Sequence, residues 1–278
     1  LNVASNAGFG VGYRGTGSLI VKEGVKIVSK DGYLGFNPGS TGTASISGLG
    51  SKWTTTEDFN IGYRGTGTLT VDTRAKIASD LLNVGTFGLG TLNVLSGAQI
   101  TSASGHVGSY STSTGVANII GTNSRWDVNG DLFVGNQGTG ILNIEATAKV
   151  TSINGFVRGW SPGKTGTVKV AGANSQWTVS DTLTVDQGGT LQVADRGKVV
   201  ASKVQGSLSS FTGNGSVVAT TGVILDADLR FDAAHPSQQL LSFGTGGTLT
   251  VNTGGVLGVG YRGHGTLEIV EGVKVNST

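Results

Sequence analysis

Cysteine and methionine are both absent from the 278 residues, and only 3 prolines occur. Without cysteine there are no disulfides and no thiolate metal sites. The same lack suits a chain that crosses membranes unfolded. Without methionine, Leu1 is not expected to be the native start, and any secretion leader is expected to lie before it. Charge is scarce, with Asp, Glu, Lys and Arg at 13% and a formal net charge of +2. Phosphate binding needs clustered Lys and Arg, so this balance predicts no nucleic-acid partner. No apolar run approaches the roughly 20 residues of a membrane helix, so no membrane insertion by this segment is expected.

Glycine is abundant, at 49 residues. It follows no strict G-x-y period, which excludes collagen. Val, Leu and Ile recur with strand-like spacing, which excludes a disordered chain. A signature recurs: glycine, a small residue, then apolar–polar–apolar. It reads GTGSLIV at 15–21, STGTASI at 40–46, GTGTLTV at 65–71, GLGTLNV at 88–94 and STGVANI at 113–119. It continues as GTGILNI at 138–144, KTGTVKV at 164–170 and QGGTLQV at 187–193. Weaker or later copies are GNGSVVA at 213–219, TGGTLTV at 245–251 and GHGTLEI at 263–269.

The shared glycines run from Gly17 to Gly265, 23 to 26 residues apart as far as Gly215 and then 32 and 18 apart. That period is too short for a propeller blade or a paired-helix repeat, and the leucine-rich pattern L-x-x-L-x-L-x-x-N is absent. Glycine and β-branched content disfavour helices in any case. A coil of three short strands fits the period. The fold class is therefore all-β, a parallel β-solenoid of about eleven coils, roughly 50 Å long at about 4.8 Å per coil. Leu69 and Val71 then point inward and the residue between them outward.

Two larger repetitions overlie this one. GLGSKW at 48–53, GTNSRW at 121–126 and GANSQW at 172–177 share an ending. An aromatic turn precedes each: GFNPG at 35–39, GSYSTS at 108–113 and GWSPG at 159–163. Residues 1–30 align with 249–278 at a constant offset of 248, with 15 of 30 positions identical. The expectation is a single elongated segment over 1–278, whose last thirty residues begin a second super-repeat.

The GTGTLTV strands, the G-x-x-S-x-W endings and the VGYRGTG starts resemble the passenger repeats of bacterial autotransporters, the strand–loop–strand adhesins of type V secretion. That resemblance implies a right-handed winding and display on the bacterial cell surface. The anchor implied is an outer-membrane barrel outside this sequence. It also implies adhesion to host matrix or cells, autoaggregation or biofilm formation. The implied partners are a host extracellular-matrix protein, a glycan or another copy of the chain. The alternative is a stalk that spaces a distal binding tip. A polysaccharide-degrading β-helix enzyme ranks last, because the turns read as short and regular.

No catalytic, cofactor or metal site is predicted. His106, His235 and His264 are isolated, without H-x-H or H-E-x-x-H spacing. Asp226, Asp228 and Asp232 alternate with Leu225, Ala227, Leu229 and Phe231, which reads as the wet face of one strand. Trp53, Trp126 and Trp177 read as structural corners packing over a turn of the coil below, or as sugar platforms. The candidate surface residues are Tyr13 with Arg14, Tyr63 with Arg64, and the outward column Asn93, Asn118 and Asn143. A tyrosine beside an arginine is a common recognition pair. Stacked asparagines form hydrogen-bonded ladders that stiffen a solenoid, or a polar face that pairs with another molecule. Arg158 and Trp160 extend the tyrosine–arginine stripe if they share its face.

Overall fold

The computed structural model describes residues 7–207, 210–225, 229–231, 248–251, 256–259 and 267–269. The fold is all-β, a solenoid of parallel strands making about eight turns, with no α-helix among the described residues. No helix there is long and apolar enough to cross a membrane. Asp226, Asp228, Asp232, His235 and His264 lie outside the described residues.

Each turn of the solenoid carries three strand positions, and like positions stack into columns. Among the described residues the first column holds nine strands, from Thr16–Val21 through Leu89–Val94 to Phe211–Thr212. The second begins with Lys26–Ser29 and Lys52–Thr55. The third begins with Phe9–Val11 and Gly32–Leu34. Where the bend between second and third positions relaxes, one strand spans both, as in Gln99–Val107.

The signature glycines align without slippage: Gly17 pairs Gly42, Gly42 pairs Gly67, and the series runs on to Gly189. Their role is close approach. A Cβ on Gly90 would collide with the backbone nitrogen of Gly85 and the carbonyl oxygen of Ile61, so only glycine lets the first and third walls meet. The opposing glycine supplies backbone shape instead: Gly62 has a φ of 74°.

Alternation places the core. Leu69, Val71, Leu92 and Val94 are fully buried, and Val71 stacks between Ile46 and Val94. The tryptophans are core residues of the second column. Trp53, Trp126 and Trp177 are each fully buried, so they present no sugar platform. Each ring lies over the preceding coil, and its Nε1 donates to Ser29, Ser102 or Ser152 there at 3.0–3.2 Å. Trp126 and Trp177 fill the space above Gly105 and Gly155, which a Cβ at either glycine would take. The corner role belongs to the serine two residues earlier. Ser51, Ser124 and Ser175 accept at 3.0 Å from the backbone N–H of Gly24, Gly97 and Thr147.

The last three signatures do not continue the first column as the period implied. Ser216–Leu225, which follows Gly215, pairs with Lys198–Gly206 in the second column, and Thr248–Val251 joins it there. The first-column strand at that level is Phe211–Thr212. Leu229–Phe231 pairs with Leu267–Ile269 in a separate sheet, while Leu225 ends a strand of the main one.

Candidate binding faces

The turn after the third column is aromatic in successive coils. Tyr13 stacks on Phe36 with centroids 4.5 Å apart, and Phe36 stacks on Tyr63 at 4.9 Å. Tyr63 meets Phe87 edge-on at 5.5 Å, and Phe87 stacks on Tyr110 at 4.3 Å. The stack unites the tyrosines of VGYRG and IGYRG with the aromatic turns. Tyr13 and Tyr110 remain about half exposed, at 52% and 46%. Arg14 is exposed beside Tyr13. Arg64 is exposed too, with its guanidinium 5.7 Å from the Tyr63 ring centre and 5.9 Å from that of Phe87. Beneath the stack Tyr33 meets Phe36 and Tyr63 edge-on. Burial, with Asp31 as the next cause, pushes the Tyr33 hydroxyl up to about 12.

The stack lapses at Asn136 and Gln137 and resumes at Trp160, whose backbone N–H donates to the Asn136 carbonyl. Trp160 is 59% exposed and joins this edge as anticipated, but Arg158 does not offer its charge to solvent. Its guanidinium lies 3.5 Å from the Trp160 ring centre and 4.9 Å from that of Phe156. Burial lowers its pKa. Phe133 and Phe156 stack at 4.7 Å below it, and His106 meets Phe133 edge-on. Burial holds His106 below the ordinary imidazole range; Arg158 adds to that shift and Asp131 opposes it.

The asparagine column is a hydrogen-bonded ladder on the first-column face. Asn118 donates to the Asn93 carbonyl at 2.9 Å and Asn143 to that of Asn118 at 2.8 Å. All three are half-buried. A second amide ladder was not anticipated. Asn83 donates to Asn60 at 3.0 Å in the third column, and both are buried. Its signal was the asparagine 23 residues apart in DFNIG and LLNVG.

A third column is basic, and sequence reasoning missed it. Lys26, Lys52, Lys76, Gln99, Arg125, Lys149, Gln176 and Lys198 stand directly above one another at the outward start of the second column. The cations look scattered along the chain, yet register gathers six of them into one stripe. Their signal was a constant place, 9 or 10 residues after each signature glycine. Among the described residues, no cluster of His, Cys, Asp and Glu fits a metal ion. Compared with protein-family models, with curated proteins and with solved structures, the chain matches none.

Proposed function

We propose that this chain is a non-catalytic passenger segment of a bacterial surface adhesin, wound right-handed and carried to the cell surface by an outer-membrane barrel. The hand is the one that parallel strand–crossover–strand connections adopt in almost all cases. The observation that carries the reading is the register: one surface chemistry repeats every coil, about 4.8 Å apart. Such a rod multiplies weak contacts with host matrix, glycans or another copy of itself, and lends itself to autoaggregation and biofilm formation. Arg14 and Arg64 beside the aromatic stack are the candidate contacts. The test displays one segment or several in tandem on beads. Adhesion to matrix proteins, or of beads to one another, rises steeply with segment number and falls when Arg14 and Arg64 become alanine. Adhesion independent of both would overturn the reading.

A stalk is the second reading, and a specific observation favours it. The Tyr63 ring and the amides of Asn93, Asn118 and Asn143 engage their own neighbours along the rod. These contacts stiffen the rod rather than reach outward. In that case beads bind nothing at any segment number, while a tip from the same parent binds alone.

A further inference from the structure

We infer that the basic stripe of the second column is a binding site for an extended anionic polysaccharide, an inference that rests on the reading of this chain as a binding segment and names its ligand class. From Lys26 to Lys198 the stripe spans seven coil steps, about 34 Å at about 4.8 Å each. Among the described residues no carboxylate lies within 4.0 Å of Lys52, Lys76, Lys149 or Lys198. Arg125 has a near acid, Asp127 at 2.6 Å. Lysines stacked one coil apart repel each other, so an anion laid across them relieves a strain that the fold itself leaves in place.

The middle of the stripe lies in a groove of about 800 Å³. Arg74, Lys76, Arg125 and Lys149 line it against a single carboxylate, Asp127. The turn between first and second columns forms one wall, with Thr122, Asn123 and Asn174 offering hydroxyl and amide groups. A trough with charge at regular steps fits a linear polymer better than a compact ligand. The choice of polymer follows from the lining. Single-stranded nucleic acid is held by aromatic platforms under its bases as well as by cations. No aromatic residue lines this groove; among the described residues the exposed aromatic stack sits on the turn after the third column. Hydroxyls and amides interleaved with ammonium groups suit a hydroxyl-rich chain bearing sulfate or carboxylate. The coil step is also close to the length of one sugar unit.

The test titrates the purified chain with a heparin oligosaccharide long enough to span the stripe from Lys52 to Lys149, at about 50 mM and about 200 mM salt. The wild type binds at the lower salt and weakens at the higher. Lys52→Gln, Lys76→Gln and Lys149→Gln together lower affinity at least tenfold. They also flatten the dependence of log affinity on log salt by about one unit per lysine removed. Lys203→Gln, a cation off the stripe, leaves binding unchanged. No binding by the wild type, or equal affinity in the triple variant, would overturn the inference. So would an equal loss from Lys203→Gln. Tighter binding of single-stranded DNA through the same three lysines would assign the stripe to nucleic acid and overturn it too. Bead adhesion is scored separately. Adhesion without heparin binding sinks this inference and leaves the adhesin reading standing. Heparin binding without adhesion supports the inference and removes the adhesin reading.

Discussion

The asparagine ladder and the lysine stripe are built by the same register and end in opposite states. An amide carries both donors and an acceptor, so Asn93, Asn118 and Asn143 satisfy one another up the column. An ammonium group carries donors only, so Lys52 and Lys76 cannot pair with each other. Stacking identical residues therefore closes one face chemically and leaves the other in need of anions. Regularity alone does not distinguish a stiffener from a binding site; the donor and acceptor inventory of the repeated side chain does.

The largest expected effect tests the inward–outward alternation on which both faces depend. Leu92→Asp places an unpaired charge in a fully buried site and costs several kcal/mol or prevents folding. Asn93→Asp, one residue on, exchanges an amide that accepts from Asn118 for a carboxylate that still accepts, and costs under about 1 kcal/mol. Chemical denaturation of both variants measures the difference. Equal losses would mean that the two sides of the strand are wrongly assigned.

Next in size is the tryptophan that packs over the coil below, as the sequence reading had it, and is fully buried there. Trp126→Ala empties the space above Gly105 and strands the Ser102 hydroxyl, at a cost of about 3–5 kcal/mol. An exposed tryptophan serving as a sugar platform would cost far less, so the denaturation midpoint discriminates.

What the sequence makes legible follows from what repeats in one dimension. Glycine spacing gives the stacking unit, and apolar alternation gives Leu69, Val71, Leu92 and Val94 as core. Three things were hidden because they depend on register between coils. Trp126 complements a glycine 21 residues earlier, which no local pattern marks. The weak signatures at Gly215 and Gly247 read as first-column strands, yet their apolar runs serve the second column. The lysines count as scattered charge until coils are aligned. At 13% charged residues, composition alone points away from a cationic patch. Composition is an average over faces, and a solenoid concentrates one residue per coil on a single line.

A smaller effect separates the His106 side of the rod from its lysine side by pH. His106 titrates lower in the fold than in the unfolded chain, chiefly from burial against Phe133. A lowered folded pKa gives stability that is present above the unfolded value near 6.5 and is lost as pH falls through the folded one. Thermal midpoints should therefore drop on acidification below about pH 6.5. His106→Phe, which continues the ring column of Phe133 and Phe156, should remove that part of the drop. An unchanged acid profile in the variant would show that other groups carry it.

The smallest effect is the sharpest test of the opening contrast. Lys52 stands between Lys26 and Lys76, one coil from each. Replacing it with glutamine keeps much of the aliphatic stem, removes two like-charge contacts, and reproduces the residue that already occupies this column at Gln99 and Gln176. If the stripe holds uncompensated charge, Lys52→Gln stabilises the protein by about 0.2–0.5 kcal/mol at low salt, the scale of exposed like-charge pairs. The gain must shrink as salt rises, since near 1 M the screening length falls to about 3 Å, shorter than one coil step. Asn118→Ala in the ladder should do the reverse: it removes two hydrogen bonds, destabilises by about 1–2 kcal/mol, and shows no such salt dependence. A destabilised Lys52→Gln at every salt concentration would mean that the lysine serves the fold, and the contrast between a closed face and an open one would fail at its open end.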